Sequence, residues 1–439
     1  MQFTTPRWRA AMPALVFFAV LLAQLPLILN PGYFSHDELQ WAVRAADGYV
    51  FPWLDNDAYQ YRPLTFNLWM WLSWQLFEQP QAFHAVLVAW GAGNAALLFA
   101  VGRRFGVPTW PAVFGALSFA LGPYAAYVHG WVGTLADLVW VACALVLAWS
   151  VQRTRSVAIA AAAAALLTAT ALLAKEAAFA IPPLLLVAWW FDGRKRTWLV
   201  ATLAAGTVAA LFLGFRFDAL MQTPREGTQY ALSLASVPLR WLEYQLFPPI
   251  FPLLETFTTL QRGFGLHIAI AGLLWLGLLA ALWRAGPRYA AVFLLGGIAA
   301  LLPALPMGSS WNQYAYGFAA LASMCVAAAW STTTRAGRVA IAVFALLNLL
   351  HGLNVARVMH DVGAAQAVFS PALAGVLRDG GGQVRLRAAP DAKSWVFQRL
   401  THEIPRYDGV DIGARVSLVE APAAADYEIQ ADGSLRPLR

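Results

Sequence analysis

Apolar residues run along most of this chain in blocks, broken by short polar and often basic turns. A helix needs about 20 such residues to cross a bilayer. Eleven runs meet that pattern, at approximately 12 to 29, 82 to 102, 109 to 127, 134 to 151, 156 to 174, 176 to 191, 197 to 215, 266 to 283, 288 to 306, 313 to 331 and 338 to 353. A twelfth segment, 63 to 77, is apolar but short and carries three tryptophans, which favour the headgroup zone. It reads as a helix lying in the interface.

Basic residues settle how these runs connect. With 63 to 77 in the interface, Arg7/Arg9, Arg103/Arg104, Arg153/Arg155, Arg194-Lys195-Arg196, Arg284/Arg288 and Arg335/Arg338 all fall on one side, which is then the cytoplasm. If 63 to 77 crossed, every later cluster would face away from Arg7 and Arg9. The opposite side receives the loops 30 to 81, 128 to 133, 216 to 265 and 307 to 312, and the tail after 353. That tail mixes acids and bases, and its end reads as a hairpin around Asp432-Gly433. The predicted fold is an all-α polytopic membrane protein of about eleven spans, residues 1 to 353. Interfacial helices lie in its first outer loop, and a small mixed α/β extracytoplasmic domain, 354 to 439, follows.

Composition agrees, at 60% hydrophobic and only 12% charged, about half the charge of an ordinary soluble chain. The net charge of +7 sits mostly in the orienting clusters, so it does not argue for a nucleic-acid partner. Residues 12 to 29 follow two arginines, as a signal peptide would. The run is too long, however, and Leu27-Ile28-Leu29-Asn30 lacks a small-residue cleavage site. Cys143 and Cys325 both lie in apolar runs, which supports neither a disulfide framework nor a thiolate metal site. Glycine-rich phosphate loops and His/Cys metal spacings are absent, so the expected chemistry uses no metal or other cofactor.

Candidate chemistry concentrates in the outer loops. His36-Asp37-Glu38 follows the first span, and two readings stand for its acids: catalysis, or an Asp37 helix cap with Glu38 at the positive first turn. Tyr61-Arg62-Pro63-Leu64 opens the interfacial helix, where Arg62 either grips a phosphate or reaches to headgroups. Lys175-Glu176 sits between two spans, as a functional site or an ion pair between the two. Asp137 follows His129-Gly130-Trp131, and its bland role is a cap or structural hydrogen bond. The stretch Trp311-Asn312-Gln313-Tyr314-Ala315-Tyr316 suits a sugar ring, or an aromatic belt.

In this order the motifs resemble the GT-C superfold of membrane glycosyltransferases that use polyprenyl-phosphate sugars. The likeness covers roughly 12 to 353. It is strongest to protein O-mannosyltransferase relatives, including the transmembrane TPR mannosyltransferases, and more distant to the lipid A aminoarabinose transferases. Asp37-Glu38 matches the acidic pair, Arg62-Pro63-Leu64 the basic-proline stretch, and His84 with Asn94 the polar span. Ala136-Asp137-Leu138 and Lys175-Glu176 with Pro182 match the later motifs. Where the mannosyltransferase-like group has Arg-Tyr-x-Tyr, this chain has Asn312-Gln313-Tyr314-Ala315-Tyr316, without the arginine. The resemblance implies sugar transfer from a polyprenyl-phosphate donor, such as undecaprenyl phosphate, to a hydroxyl on a glycan, lipid or protein at the outer face of a bacterial inner membrane. It makes Asp37 the general base, with Glu38 orienting it or binding substrate. Arg62 and Lys175 become the phosphate-side cations. His36, Tyr61, His129, Asp137, Glu176, Trp311, Asn312, Gln313, Tyr314 and Tyr316 are then either substrate-binding or structural. A lipid-linked-sugar transporter needs midplane charges, broken helices or inverted repeats, none of which is evident in the sequence. A non-catalytic GT-C-like scaffold is the other alternative, raised by the missing arginine.

Overall fold

A computed structural model describes residues 6–54, 60–222, 231–246, 254–260, 263, 265–380 and 382–438. Parts of the predicted outer loops 30 to 81 and 216 to 265 therefore lie outside the described residues. Seventeen α-helices are described: α1 Pro6–Ala23, α2 Leu25–Ile28, α3 His36–Ala46, α4 Pro63–Leu76, α5 Pro80–Arg104, α6 Thr109–Ala120, α7 Pro123–Gly130, α8 Leu135–Arg153, α9 Val157–Ala174, α10 Ile181–Phe191, α11 Arg196–Gln222, α12 Val237–Gln245, α13 Leu266–Ala285, α14 Pro287–Leu301, α15 Tyr316–Ala329, α16 Arg335–Gly380 and α17 Ser394–Thr401.

Every predicted run is helical, but they are not equal. Among the described residues six helices are long and apolar enough to cross a membrane, seven if α6 and α7 count as one bent span. The remaining four apolar segments, Ala11–Ala23, Glu176–Phe191, Pro287–Leu301 and Tyr316–Ala329, are shorter. The figure of eleven therefore describes apolar helical segments rather than eleven full-length spans.

The α6–α7 pair bends by 54° at Leu121-Gly122, a broken helix that the sequence reading did not find. Such a break frees backbone carbonyls, which need other donors. Asn348 of α16 donates to the Ser118 carbonyl at 2.7 Å, and Gln24 donates to the Ala120 carbonyl at 2.7 Å. A methyl group on Gly352 would stand 1.9 Å from the Leu121 carbonyl oxygen, so only glycine lets α16 pass this close.

Helix α4 has 14 residues, about 21 Å of helix, too short for a hydrocarbon core of about 30 Å. Pro63 occupies its first turn, where a missing N–H costs nothing. Met12 and Pro13 near the start of α1 line one surface pocket with Arg103, Arg104 and Thr109 at the α5–α6 turn. The chain thus leaves through α1 and returns through α5 with no net crossing between them. Arg104 and Arg153 also stack on Trp149, and Phe105 stacks on Trp198, two residues beyond Arg196. These basic turns gather at one end of the bundle, while α3 lies at the other.

The last apolar run continues past 353 without interruption. Helix α16 holds 46 residues, about 69 Å, and carries the chain beyond the bundle to a small α/β unit. Its strands are β1 Val384–Ala388, β2 Arg406–Tyr407, β3 Val410–Asp411, β4 Val416–Leu418, β5 Tyr427–Ile429 and β6 Leu435–Pro437. One sheet has the order β4-β1-β5-β6, with β1 parallel to β4 and β5. Strands β5 and β6 form the predicted hairpin, with Gly433 at φ 92° in its turn. Gly433 also packs against the Ala365 carbonyl of α16, and the rings of Phe369 and Phe397 lie 5.1 Å apart.

Candidate functional site

Helix α3 begins with a complete capping box. Ser35 is the N-cap and its hydroxyl accepts the Asp37 N–H, while Glu38 accepts the Ser35 N–H at 2.8 Å. This corrects the cap reading of Asp37, which has no capping duty and is left about a third exposed (31%). Glu38 is buried instead. Its second oxygen accepts the Val132 N–H at 3.3 Å, pinning α3 to the α7–α8 connection. Burial, and Asp37 after it, pushes the Glu38 carboxyl up to about 8. His36 Nε2 lies 3.1 Å from Asp37. Burial holds His36 below its ordinary range despite Asp37, so it meets the carboxylate as a neutral hydrogen-bond partner.

A second cluster joins four of the predicted residues. Lys175 pairs with Asp137 at 2.5 Å, both buried, and Arg62 Nε pairs with Glu176 at 2.8 Å. Of the two sequence readings for Lys175-Glu176, the ion pair between them does not form: the helix break after Ala174 turns the two apart, and each finds a partner from another helix. Two cations and two carboxylates leave this cluster formally neutral. Trp140 donates to Asp137 at 3.4 Å, and Lys175 lies 5.2 Å from the Tyr314 ring centre. Among the described residues no three His, Cys, Asp or Glu side chains group as metal ligands would.

The segment 311 to 316 lies between these groups. Tyr314 faces Lys175, and the Asn312 side chain stands near Tyr127 on the Asp37–Glu38 side. Asn312 is otherwise a structural link, since its side-chain oxygen accepts the Thr256 N–H at 2.8 Å. Trp311 Nε1 and Gln313 Oε1 are buried and have no partner among the described residues. Helix α12 holds this segment. Arg240 pairs with Glu243 at 2.6 Å, Ser310 donates to Glu243 at 2.6 Å, and the Trp311 N–H donates to the Tyr244 hydroxyl at 2.8 Å.

His129 and Tyr316 belong to the packed interior. Asn94 Nδ2 donates to the Tyr316 hydroxyl at 3.3 Å, His129 Nε2 lies 3.0 Å from that hydroxyl, and His129 Nδ1 lies 2.8 Å from Gln24 Oε1. With Gln24 donating onward to Ala120, one directed chain of hydrogen bonds links five buried residues. Tyr61 is also buried, its hydroxyl donating to the Trp53 carbonyl and its ring facing Arg216 at 5.1 Å. His84 bonds the Gly32 carbonyl at 2.9 Å.

No family model matches the chain, and no curated protein does. Solved structures similar to it include the following two. One is ArnT from Cupriavidus metallidurans bound to undecaprenyl phosphate, at 14% identity and a TM-score of 0.49, covering 89% of this chain and 85% of that one. The other is the Archaeoglobus fulgidus oligosaccharyltransferase tethered to an acceptor peptide, at 15% identity and a TM-score of 0.46. That match covers 91% of this chain, which spans 60% of the oligosaccharyltransferase.

Several contributors escaped the sequence reading. An apolar cavity of about 250 Å³ is lined by Trp140, Leu184, Phe191, Trp198, Tyr289 and Met324 among others, and runs from the basic end toward the Trp140–Asp137 contact. The C-terminal unit also reaches the first-loop acids. Arg406 pairs with Asp47, Gln40 donates to the Glu403 carbonyl at 2.8 Å, and the rings of His402 and His36 lie 5.3 Å apart. Arg240 and Glu243 carried one sequence signal, an i,i+3 charge pair in an otherwise apolar stretch. The contacts from residues 399 to 406 carried none.

Proposed function

We propose that this chain is a GT-C-type glycosyltransferase that moves a sugar from a polyprenyl-phosphate donor to an acceptor hydroxyl on the extracytoplasmic face of a membrane. The observation that carries the reading is the separation of duties around α3: Ser35 and Glu38 do the capping, and Asp37 remains partly exposed beside a neutral histidine. A short polar-aromatic segment links it to the Arg62–Lys175 cluster. In this reading the end that carries the basic turns is the cytoplasmic one, as the positive-inside rule favours.

In this reading Asp37 takes the proton of the acceptor hydroxyl. The oxygen forms its bond to the anomeric carbon as the bond to the phosphate oxygen breaks, and polyprenyl phosphate departs with the electron pair. Arg62 and Lys175 offset the charge that develops on that phosphate. Because both hold carboxylates, the phosphate must displace Glu176 from Arg62, the more exposed of the two pairs. In this reading the apolar cavity beside Trp140 takes one section of the lipid tail. A glycosyl phosphate is already activated, so the chemistry calls for no metal.

The bent α6–α7 span favours a second reading, a lipid-linked-sugar transporter. Its freed carbonyls are already occupied by Asn348 and Gln24, which makes the break a packing device. Full-length protein in proteoliposomes, supplied with undecaprenyl-phosphate-linked sugar, separates the two. Release of undecaprenyl phosphate on addition of acceptor supports transfer; movement of intact donor between leaflets without release would replace it by transport.

A further inference from the structure

Arg399 belongs to α17 of the C-terminal unit, yet it lies among the first-loop residues. Its guanidinium carbon stands 4.7 Å from the Phe34 ring centre and 5.3 Å from that of Trp131. His36, Glu38 and Tyr127 all feel its charge. Two aromatic faces at this range hold a guanidinium electrostatically and fix its plane.

Among the described residues this arginine has no hydrogen-bond acceptor. Arg62 and Arg240, the neighbouring arginines of the same end, each hold a carboxylate. Among the described residues no carboxylate pairs with Arg399, and its Nε is buried without a partner. The indole N–H of Trp131 beside it is buried and has no partner among the described residues either. Two adjacent donors withdrawn from water cost free energy until an acceptor-rich group arrives. The placement is held from several directions, by Arg406 on Asp47, Gln40 on Glu403 and Phe397 on Phe369.

We propose that Arg399 is a binding residue for an anionic acceptor, holding a phosphate or carboxylate of that acceptor on the Asp37 side of the site. This rests on the glycosyl-transfer reading above. Displacement at the anomeric carbon is in line, so the base and the departing phosphate stand on opposite faces of the sugar. The Arg62–Lys175 cluster serves the departing phosphate; Arg399, beside Asp37, stands with the incoming group. The C-terminal unit is thereby part of the acceptor site, and its docking on α3 selects for charge.

The test uses the full-length chain in nanodiscs of zwitterionic lipid, with octyl glucoside 6-phosphate and octyl glucoside as probes. Wild type should bind the phosphorylated probe at least about 10-fold more tightly, the effect of one hydrogen-bonded charge pair. Arg399→Ala should erase that preference, and Arg399→Lys should keep part of it. Affinity for undecaprenyl phosphate and the thermal midpoint should stay at wild-type values in both variants. Inorganic phosphate should compete only at far higher concentration; equal competition would assign the site to a free anion and overturn the proposal. A wild type without preference, or an Arg399→Ala variant that keeps it or weakens both probes alike, would also overturn it. Failure of wild type to bind undecaprenyl phosphate would instead strike the glycosyl-transfer reading itself.

Discussion

The Glu38 carboxylate accepts the backbone N–H of Val132 at 3.3 Å, across 94 residues of chain, while its other oxygen caps its own helix through Ser35. One buried acid therefore fixes where Asp37 stands relative to the α7–α8 connection. Because burial raises the Glu38 carboxyl to about 8, the folded chain binds more protons than the unfolded one between the ordinary carboxylate range and that value. Its contribution to stability is complete below that range and is lost as pH rises through about 8. The thermal midpoint of wild type should fall between pH 5 and pH 9. Glu38→Gln should show a flatter profile, since the amide has no proton to lose. Parallel profiles would assign the pH dependence to other groups.

Asp37→Asn should lower turnover by about 10² to 10⁴, the usual loss when general-base assistance is removed. Ser35 keeps the cap, so the thermal midpoint should not move. Undecaprenyl-phosphate affinity should also be retained. Wild-type turnover in this variant would take Asp37 out of the reaction.

Lys175 and Asp137 are both nearly inaccessible, with side chains 5% and 1% exposed. Removing one partner of a buried pair strands the other, at a typical cost of about 3–5 kcal/mol. Lys175→Met and Asp137→Leu should each destabilise strongly, and the double variant much less than their sum. A denaturation series on the four proteins in one detergent measures this coupling. Additive losses would mean that the two charges are solvated separately.

Arg62 binds Glu176 through Nε at the more exposed pair. Arg62→Ala should weaken undecaprenyl-phosphate binding by about 1.5–3 kcal/mol, the value of a hydrogen bond to a charged group. Arg62→Lys should be milder because it keeps the charge and loses only the fork. Equal affinity in all three proteins would leave Lys175 as the phosphate-side cation.

Single-cysteine labelling in a background without Cys143 and Cys325 tests the topology. Positions 104 and 196 should react from the cytoplasmic side, and positions 78 and 354 from the other. Labelling of 78 from the cytoplasmic side and of 104 from the other would mean that α4 crosses the bilayer.

Local pattern alone located the apolar helical runs, though not the break between α6 and α7, and also the helix start at Pro63, the β5–β6 hairpin and the clustering of basic turns, because hydropathy, proline and turn chemistry act over a few residues. The same local information named Asp37, Arg62, Lys175, Asp137 and Glu176. It did not tell which carboxylate each cation holds, since Lys175–Asp137 and Arg62–Glu176 are closures across 38 and 114 residues. Nor did it tell which acid caps α3 and which stays open: Ser35 and Glu38 satisfy the cap together, and Val132 then buries Glu38. The arrival of Arg399 beside Phe34 and Trp131 depends on α16 running about 69 Å before the chain turns back, and on the C-terminal unit packing on that helix. Periodicity records which face of a helix is apolar; packing between distant helices decides which polar groups meet.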